Sequence, residues 1–143
     1  MTEGQRSLRG VLDTSTVILL GRLTDAALPV EPLITAVTLA ELSVGPLVAT
    51  SEDERAARQA HLQQAETDFD ALPFDADAAR AFGRVAASLR RAGRKAHART
   101  YDAMIAATAI TNDLPLYTCN PDDFRGIATL DLRAIPHPDV ARG

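Results

Sequence analysis

The sequence predicts a three-layer α/β fold, with a mainly parallel central sheet of four to five strands, in a single domain spanning residues 1–143. Two observations predict it. Short apolar runs alternate along the chain with longer segments whose apolar residues recur at helical spacing. No linker, repeat or low-complexity tract interrupts this alternation, and the length suffices for one hydrophobic core. Strands that alternate with helices form a parallel sheet covered by helices on both faces.

The first part of the chain carries the signals of two strands, each followed by a helix. Apolar runs supply both strands, and the pair Gly45-Pro46 is expected to stop the second helix. Asp13 closes the first apolar run, either as the cap of the helix that follows or as a metal ligand that the strand delivers. These elements are predicted over residues 9–13, 15–23, 33–37 and 38–45.

A long polar helix is predicted next, from a capping box to about Asp68. Ser51 is the expected N-cap, and Glu54 is expected to reach back to the start of the helix. Its apolar stripe is sparse, which predicts thin packing and favours a helix that finds a partner on another chain. The stripe consists of Leu62, Ala65 and Phe69.

The remaining elements repeat the alternation of strand and helix. Asp75 is expected to cap an amphipathic helix that Gly93 ends, and an alanine-rich helix follows after a basic segment. Small side chains allow that second helix to lie close to the sheet. Beside the amphipathic helix, the predicted elements are a strand at 71–74, the alanine-rich helix at 101–112, and strands at 116–119 and 129–135.

Composition excludes several classes of protein. A net charge of −4 argues against an indiscriminate coat on nucleic acid, and 4% aromatic residues argue against extensive base stacking. The single cysteine, Cys119, rules out an internal disulfide and a cysteine-based zinc site. No apolar run approaches the ~20 residues of a membrane span. The N-terminal residues lack the apolar core of a signal peptide, so we expect a cytoplasmic protein with no membrane contact.

Basic residues are concentrated between Arg84 and Arg99, where six occur without an acid among them. Such a segment is suited to facing a polyanion while the rest of the molecule repels it. The alternative is a solvated helix end, whose cations offset the negative pole of the helix dipole.

Five carboxylates fall at corresponding ends of the predicted elements: Asp13, Glu41, Asp102, Asp122 and Asp123. Each has an ordinary explanation as a helix cap, a surface residue, a complement to a helix dipole or part of a turn. As a set they predict something else, because ligands bind at the carboxyl ends of strands in such sheets. Gathered carboxylates repel one another unless a cation offsets their charge. Mg²⁺ binds carboxylate oxygens, activates water and stabilises charge on a phosphodiester, which indicates hydrolysis of a nucleic-acid backbone.

Four segments in order resemble the motifs of PIN domains, and more narrowly of VapC-type toxins from bacterial toxin–antitoxin pairs. They are GVLDTSTVI, TAVTLAEL, TYDAMIAATAI and LYTCNPDDF. The resemblance runs from about residue 8 to about residue 135, with an acid in each motif at the family's spacing. It implies an endoribonuclease that uses Mg²⁺, with Mn²⁺ able to substitute. It also implies an RNA substrate, a homodimer and a cognate VapB-like antitoxin.

The resemblance assigns a role to each matching residue. Asp13, Asp102 and Asp123 would be metal ligands. Glu41 would be the fourth catalytic acid and would act on the metal through a water molecule or by anchoring the groups that bind it. Substrate would contact the matching hydroxyl and amide positions and the basic segment, at Ser15, Thr118, Asn120, Arg94 and Arg99. One departure concerns the second metal position: many relatives carry an acid where this chain has Asn120. Asp122 is the residue that would compensate for it.

Two other functions stay open on the sequence. A phosphoaspartyl phosphatase would use Asp13 as nucleophile, but such enzymes usually carry a second aspartate two residues on, where this chain has Ser15. A PIN-like module that binds RNA or protein without catalysis is favoured by Asn120. A dinucleotide-binding domain fits poorly, because no glycine-rich loop follows a predicted strand.

Overall fold

The computed structural model describes residues 7–95 and 99–139 and contains a five-stranded, all-parallel sheet. The strand order is β3-β2-β1-β4-β5, so the first strand lies at the centre. The strands are β1 (Arg9–Leu12), β2 (Glu31–Thr35), β3 (Ala71–Leu72), β4 (Leu116–Thr118) and β5 (Leu132–Ala134). The helices are α1 (Thr14–Ile18), α2 (Ala36–Leu47), α3 (Glu52–Asp68), α4 (Ala76–Arg91) and α5 (Thr100–Thr111). The predicted three-layer fold is therefore confirmed.

Helices cover both faces of the sheet, because neighbouring residues of the central strand point to opposite sides. Val11 belongs to the core beneath α4 and α5, whereas Leu12 belongs to the core that contains Leu42 of α2 and Ala65 of α3. Ala65 is the one fully buried residue of α3, and its neighbours Leu62 and Phe69 are partly buried. This confirms the predicted thin packing of that helix.

The first strand and helix are both shorter than predicted. β1 ends at Leu12, because the next residue, Asp13, is the N-cap of α1 and accepts a hydrogen bond from the Thr16 amide. α1 ends at Ile18, so the prediction of a helix to residue 23 was wrong. A 3₁₀ turn at Leu20–Arg22 replaces its second half. The leucines of this segment pack on the core from the turn, which explains why their spacing resembled a longer helix.

The second strand lies two residues earlier than predicted, because Thr35, the last residue of β2, already caps α2 and accepts a hydrogen bond from the Thr38 amide. The second helix was expected to stop near Gly45-Pro46, and α2 ends at Leu47, one residue beyond that pair. A proline in the last turn removes one amide donor. Two α3 side chains donate to terminal carbonyls of α2, which have no intrahelical donor: Arg58 Nη1 donates to Gly45 O (2.9 Å) and Arg55 Nε to Pro46 O (3.3 Å).

The other helices follow the predicted caps closely. The Glu54 amide donates to Ser51 Oγ at 3.1 Å, but the Glu54 carboxylate reaches back to Thr50 rather than to Ser51. Asp75 caps α4, and Gly93 takes a left-handed φ of +79° just beyond it. The strands predicted at 71–74, 116–119 and 129–135 are shorter in the structure. None of the helices within the described ranges is long and apolar enough to cross a lipid bilayer.

Candidate functional site

Asp13 is the buried centre of a hydroxyl network at the carboxyl end of β1. Its side chain is 2% exposed and accepts hydrogen bonds from Ser15 Oγ (3.1 Å) and Thr118 Oγ1 (3.0 Å). The Thr16 amide (3.3 Å) and the Thr16 hydroxyl also donate to it. Burial raises the pKa of Asp13, and these donors oppose the rise by stabilising the charged form. The carboxylate is thus held in one orientation by four donors.

The same hydroxyls connect the ends of β1 and β4. The Asn120 amide donates to Thr118 Oγ1 at 2.9 Å, and Asn120 Nδ2 donates to Ser15 Oγ at 3.0 Å. The Cys119 amide donates to Thr16 Oγ1 at 3.1 Å. Three predicted substrate contacts, Ser15, Thr118 and Asn120, therefore lie in one hydrogen-bonded group around Asp13.

Glu41 lies in the second turn of α2 and is held from the β1 side by Thr14. Thr14 Oγ1 donates to Glu41 Oε1 at 2.6 Å and lies 3.0 Å from Thr38 Oγ1. Burial raises the pKa of Glu41, the Thr14 hydrogen bond lowers it, and the negative charge of Asp13 raises it further. Because Thr14 follows Asp13 directly, one turn of chain fixes two of the acids.

Asp102 and Asp123 meet across a single arginine. Arg99 Nη1 donates to Asp123 Oδ1 at 2.7 Å and lies 4.0 Å from Asp102 Oδ2. Asp102 is in the first turn of α5, and Asp123 is in the 3₁₀ turn Pro121–Phe124 that follows β4. Asp122, one residue earlier, points elsewhere: its side chain is 78% exposed and pairs with Arg125.

The four acids form one electrostatic group. Burial, followed by the negative charges of Asp123, Asp13 and Glu41, raises the pKa of Asp102 from 3.8 to about 7, while Arg99 partly offsets the rise. Within residues 7–95 and 99–139, however, no three carboxylates, histidines or cysteines form a group that could hold a metal ion in this conformation. The site therefore gathers negative charge, and Arg99 supplies part of the compensation.

Sequence reasoning missed the threonines and the ion pair of Arg99. Thr14 and Thr16 donate to Glu41 and Asp13, and Thr38 contacts Thr14; the run of hydroxyl residues directly after Asp13 was a signal for the first two but not for Thr38. Nothing in the sequence indicated that Arg99 pairs with Asp123. Arg94, by contrast, has no described carboxylate partner and lies half-buried beside the loop that follows Asp123. His97, in the basic segment, lies outside the described residues.

A PIN domain family model matches residues 11–130 of the chain. The chain is 45% identical over 121 residues to Ribonuclease VapC5 of Mycobacterium tuberculosis, covering 82% of this chain and 87% of that protein. It is 28% identical over 133 residues to Ribonuclease VapC of Rickettsia bellii, covering 90% and 98%.

Solved structures agree with these sequence matches. VapBC-5 of M. tuberculosis, described as a member of the VapBC family of toxin–antitoxin systems, superposes with a TM-score of 0.77 at 40% identity, covering 90% of this chain and 98% of that one. VapBC2 of Rickettsia felis, bound to a promoter DNA fragment, superposes with a TM-score of 0.71 at 21% identity, covering 90% of this chain and 99% of that one. At this level of identity the match supports only the assignment of the fold. This chain belongs to the PIN domain family, in its VapC branch.

Proposed function

We propose that the chain is the toxin of a type II toxin–antitoxin system and acts as a metal-dependent endoribonuclease. One observation carries the proposal: four acids from separate elements share an electrostatic site in which the pKa of Asp102 rises to about 7. Clusters of carboxylates with strongly perturbed pKa values are typical of catalytic sites. The relative with 45% identity is named a ribonuclease, which selects RNA among the phosphodiesters.

The donors of this site fit a hard divalent cation. They are carboxylate oxygens, and their crowding leaves a negative charge that Arg99 only partly offsets. In the proposal Asp13, Asp102 and Asp123 bind Mg²⁺, Mn²⁺ substitutes for it, and Glu41 contributes through water. When bound, such an ion lowers the pKa of a coordinated water and offsets charge on the phosphodiester. The hydroxyls around Asp13, that of the fully buried Thr118 among them, keep its carboxylate oriented, and the partly exposed Ser15 and Asn120 line the space for substrate.

Arg99 has two roles in this proposal. Its guanidinium neutralises Asp123 in the structure, and that contact competes with any cation for the carboxylate. Once released from Asp123, the guanidinium is available to an RNA phosphate, which it can bind through two parallel hydrogen bonds. In this proposal Arg99 therefore makes its predicted substrate contact when it exchanges Asp123 for an RNA phosphate.

The proposed partners are a VapB-like antitoxin and a second copy of the chain. The structure of the M. tuberculosis relative is described as that of a member of the VapBC family of toxin–antitoxin systems. The thinly packed α3 and the end of α2, where Val44, Leu47 and Val48 are exposed, supply apolar surface for one of these partners. With RNA as substrate, the proposal places the protein in the cytoplasm.

Cleavage of a 5′-labelled RNA in Mg²⁺ tests the activity. Asp102→Asn removes the acid whose pKa rises to about 7, and we expect it to reduce cleavage by at least about a hundredfold. Asp122→Asn is the matched control, because Asp122 lies on the same loop as Asp123 but is exposed and pairs with Arg125. A chelator should abolish cleavage and Mn²⁺ should restore it. Full activity of the Asp102→Asn protein would contradict the assignment.

One observation favours a second candidate, a PIN-like module that binds RNA or protein without cleaving RNA. An amide, Asn120, stands where many relatives carry an acid, and it donates to Ser15 Oγ at 3.0 Å. Calorimetric titration with Mn²⁺ separates the two candidates. Negligible uptake by the wild-type chain would support the non-catalytic module.

A further inference from the structure

The basic residues of the chain divide into a paired and an unpaired group. Eight described arginines each form an ion pair with an aspartate or glutamate; they are Arg9, Arg22, Arg55, Arg58, Arg80, Arg99, Arg125 and Arg133. Five form no ion pair with any residue in the described ranges, and we call them the α4 basic cluster; they are Arg84, Arg90, Arg91, Arg94 and Lys95. All five fall within twelve consecutive residues. Among residues 7–95 and 99–139 of this chain of net charge −4, the cluster is where basic side chains have no acidic partner.

The helix dipole explains only part of this arrangement. Cations in the last turn of a helix are stabilised by its negative end, which accounts for Arg90 and Arg91. The effect fades beyond one turn, so it does not account for Arg84 on the earlier side, nor for Lys95 beyond the helix. Between Asp77 and Asp102 the sequence contains no acid. The repulsion among these cations is therefore relieved by solvent, salt or an anionic ligand.

A cleft lies inside the cluster. It has a volume of about 240 Å³ and lies between one face of α4, which supplies Arg84 and Arg91, and the loop at 127–129. Ser88 fastens the two sides together, because its Oγ donates to Gly126 O (2.6 Å) and accepts from the Ala128 amide (3.2 Å). The two arginines are seven residues apart, which places them two turns apart on the same side of α4. The cleft thus has a fixed wall and two cations beside it.

The same loop joins the cluster to the acidic site. Gly126 is so close to the end of α4 that a Cβ at this position would lie 2.8 Å from Ala92 Cβ and 3.6 Å from Arg94 Cδ. Gly126 follows Asp123 by three residues, and Asp123 pairs with Arg99. The loop that carries Asp123 therefore packs against the end of α4 beside Arg94.

We propose that the α4 basic cluster is a second RNA-binding surface, which takes backbone phosphates of the substrate away from the scissile bond. The inference rests on the proposed ribonuclease function. Backbone phosphates are the favoured ligand, because the cluster offers five separate cations and the cleft has no aromatic ring on which a base would stack. The surface would contribute affinity and orientation rather than sequence readout.

Salt dependence of RNA binding tests the surface. The probe is a fluorescein-labelled 30-nucleotide RNA with a hairpin, and its anisotropy is measured with the full chain in EDTA at 50 to 300 mM KCl. The double variant Arg84→Gln/Arg91→Gln removes two unpaired cations. We expect its slope of log K against log salt to be shallower by about 1.4, and its binding at 100 mM salt to be about 10- to 30-fold weaker.

The double variant Arg9→Gln/Arg80→Gln is the matched control, since it lowers the net charge equally but removes arginines that are paired with Glu31 and Asp77. We expect it to change the slope by less than about 0.5. Equal slopes and affinities for the two double variants would overturn the proposal, and so would displacement of the RNA by polyglutamate at equal concentration of charge. The measurement detects RNA binding and needs no cleavage. If the wild-type chain showed no nuclease activity in Mg²⁺, the proposed function would be refuted, but the binding result would be unaffected.

Discussion

Asp102→Asn should make the metal-free protein more stable at neutral and alkaline pH, although it removes a candidate catalytic group. In the folded chain the pKa of Asp102 is raised from 3.8 to about 7, by burial first and then by the charges of Asp123, Asp13 and Glu41. At 1.36 kcal/mol per tenfold change, this rise corresponds to about 4 kcal/mol. The side chain is 27% exposed, and solvent screens part of the repulsion. We therefore expect a gain of about 1 to 2 kcal/mol, or roughly 3 to 8 °C in Tm.

The sign and pH window of this effect follow from proton linkage. Above pH 4 the unfolded chain has lost the Asp102 proton, whereas the folded chain keeps it until the pH approaches 7. The folded state binds more protons across this window, so the wild-type protein loses stability as the pH rises through it. The asparagine variant lacks this loss. The difference between the two proteins should be near zero at pH 4 and complete at pH 8.

Urea denaturation in EDTA, followed by circular dichroism at pH 4, 6 and 8, measures the difference. Asp122→Asn is the control, because that aspartate is exposed and its charge is not among those that raise the pKa of Asp102. Added Mg²⁺ should stabilise the wild-type protein more than the Asp102→Asn protein. Equal stability of the two at pH 8, or a gap that does not change with pH, would refute the account of a crowded acidic site.

Three further outcomes are expected. Asp13→Asn should lower the free energy of unfolding by about 1 to 3 kcal/mol in urea denaturation, since the amide cannot accept all the donors that hold the carboxylate, and an unchanged midpoint would contradict this. Gly126→Ala should cost about 1 to 3 kcal/mol in the same assay, because φ is +94° and the new methyl would lie 2.8 Å from Ala92 Cβ. Arg99→Gln should tighten Mn²⁺ binding about two- to fivefold in calorimetry by removing the competitor for Asp123; weaker binding would show that Arg99 instead supports the site.

The fold was readable from the sequence because periodicity and caps are local signals. Apolar runs indicated where along the chain the strands occur, and Ser51 and Asp75 cap the helices that they were expected to cap. The errors occurred where tertiary contacts override local preference. Arg55 and Arg58 of α3 donate to the carbonyls of Pro46 and Gly45 at the end of α2, and no local pattern indicates those donors.

The candidate acids were also readable one at a time, because each follows a strand or opens a helix. The burial and the interaction partners of these acids could not be predicted from the sequence. The sequence offered a helix cap and a metal ligand as alternatives for Asp13; the structure shows that it caps α1 and that it is buried, which no local pattern indicated. Arg99 was expected to face substrate, and only the three-dimensional arrangement brings it to Asp123, 24 residues away.

By itself, the sequence determined the alternation of strands and helices, the positions of the acids at the ends of those elements, and the concentration of positive charge near the end of α4. The tertiary structure decided which charges are compensated and which are left free. The physical reason is range: propensity and capping act over a few residues, whereas burial, ion pairing and charge repulsion depend on atoms that meet only after the chain has folded.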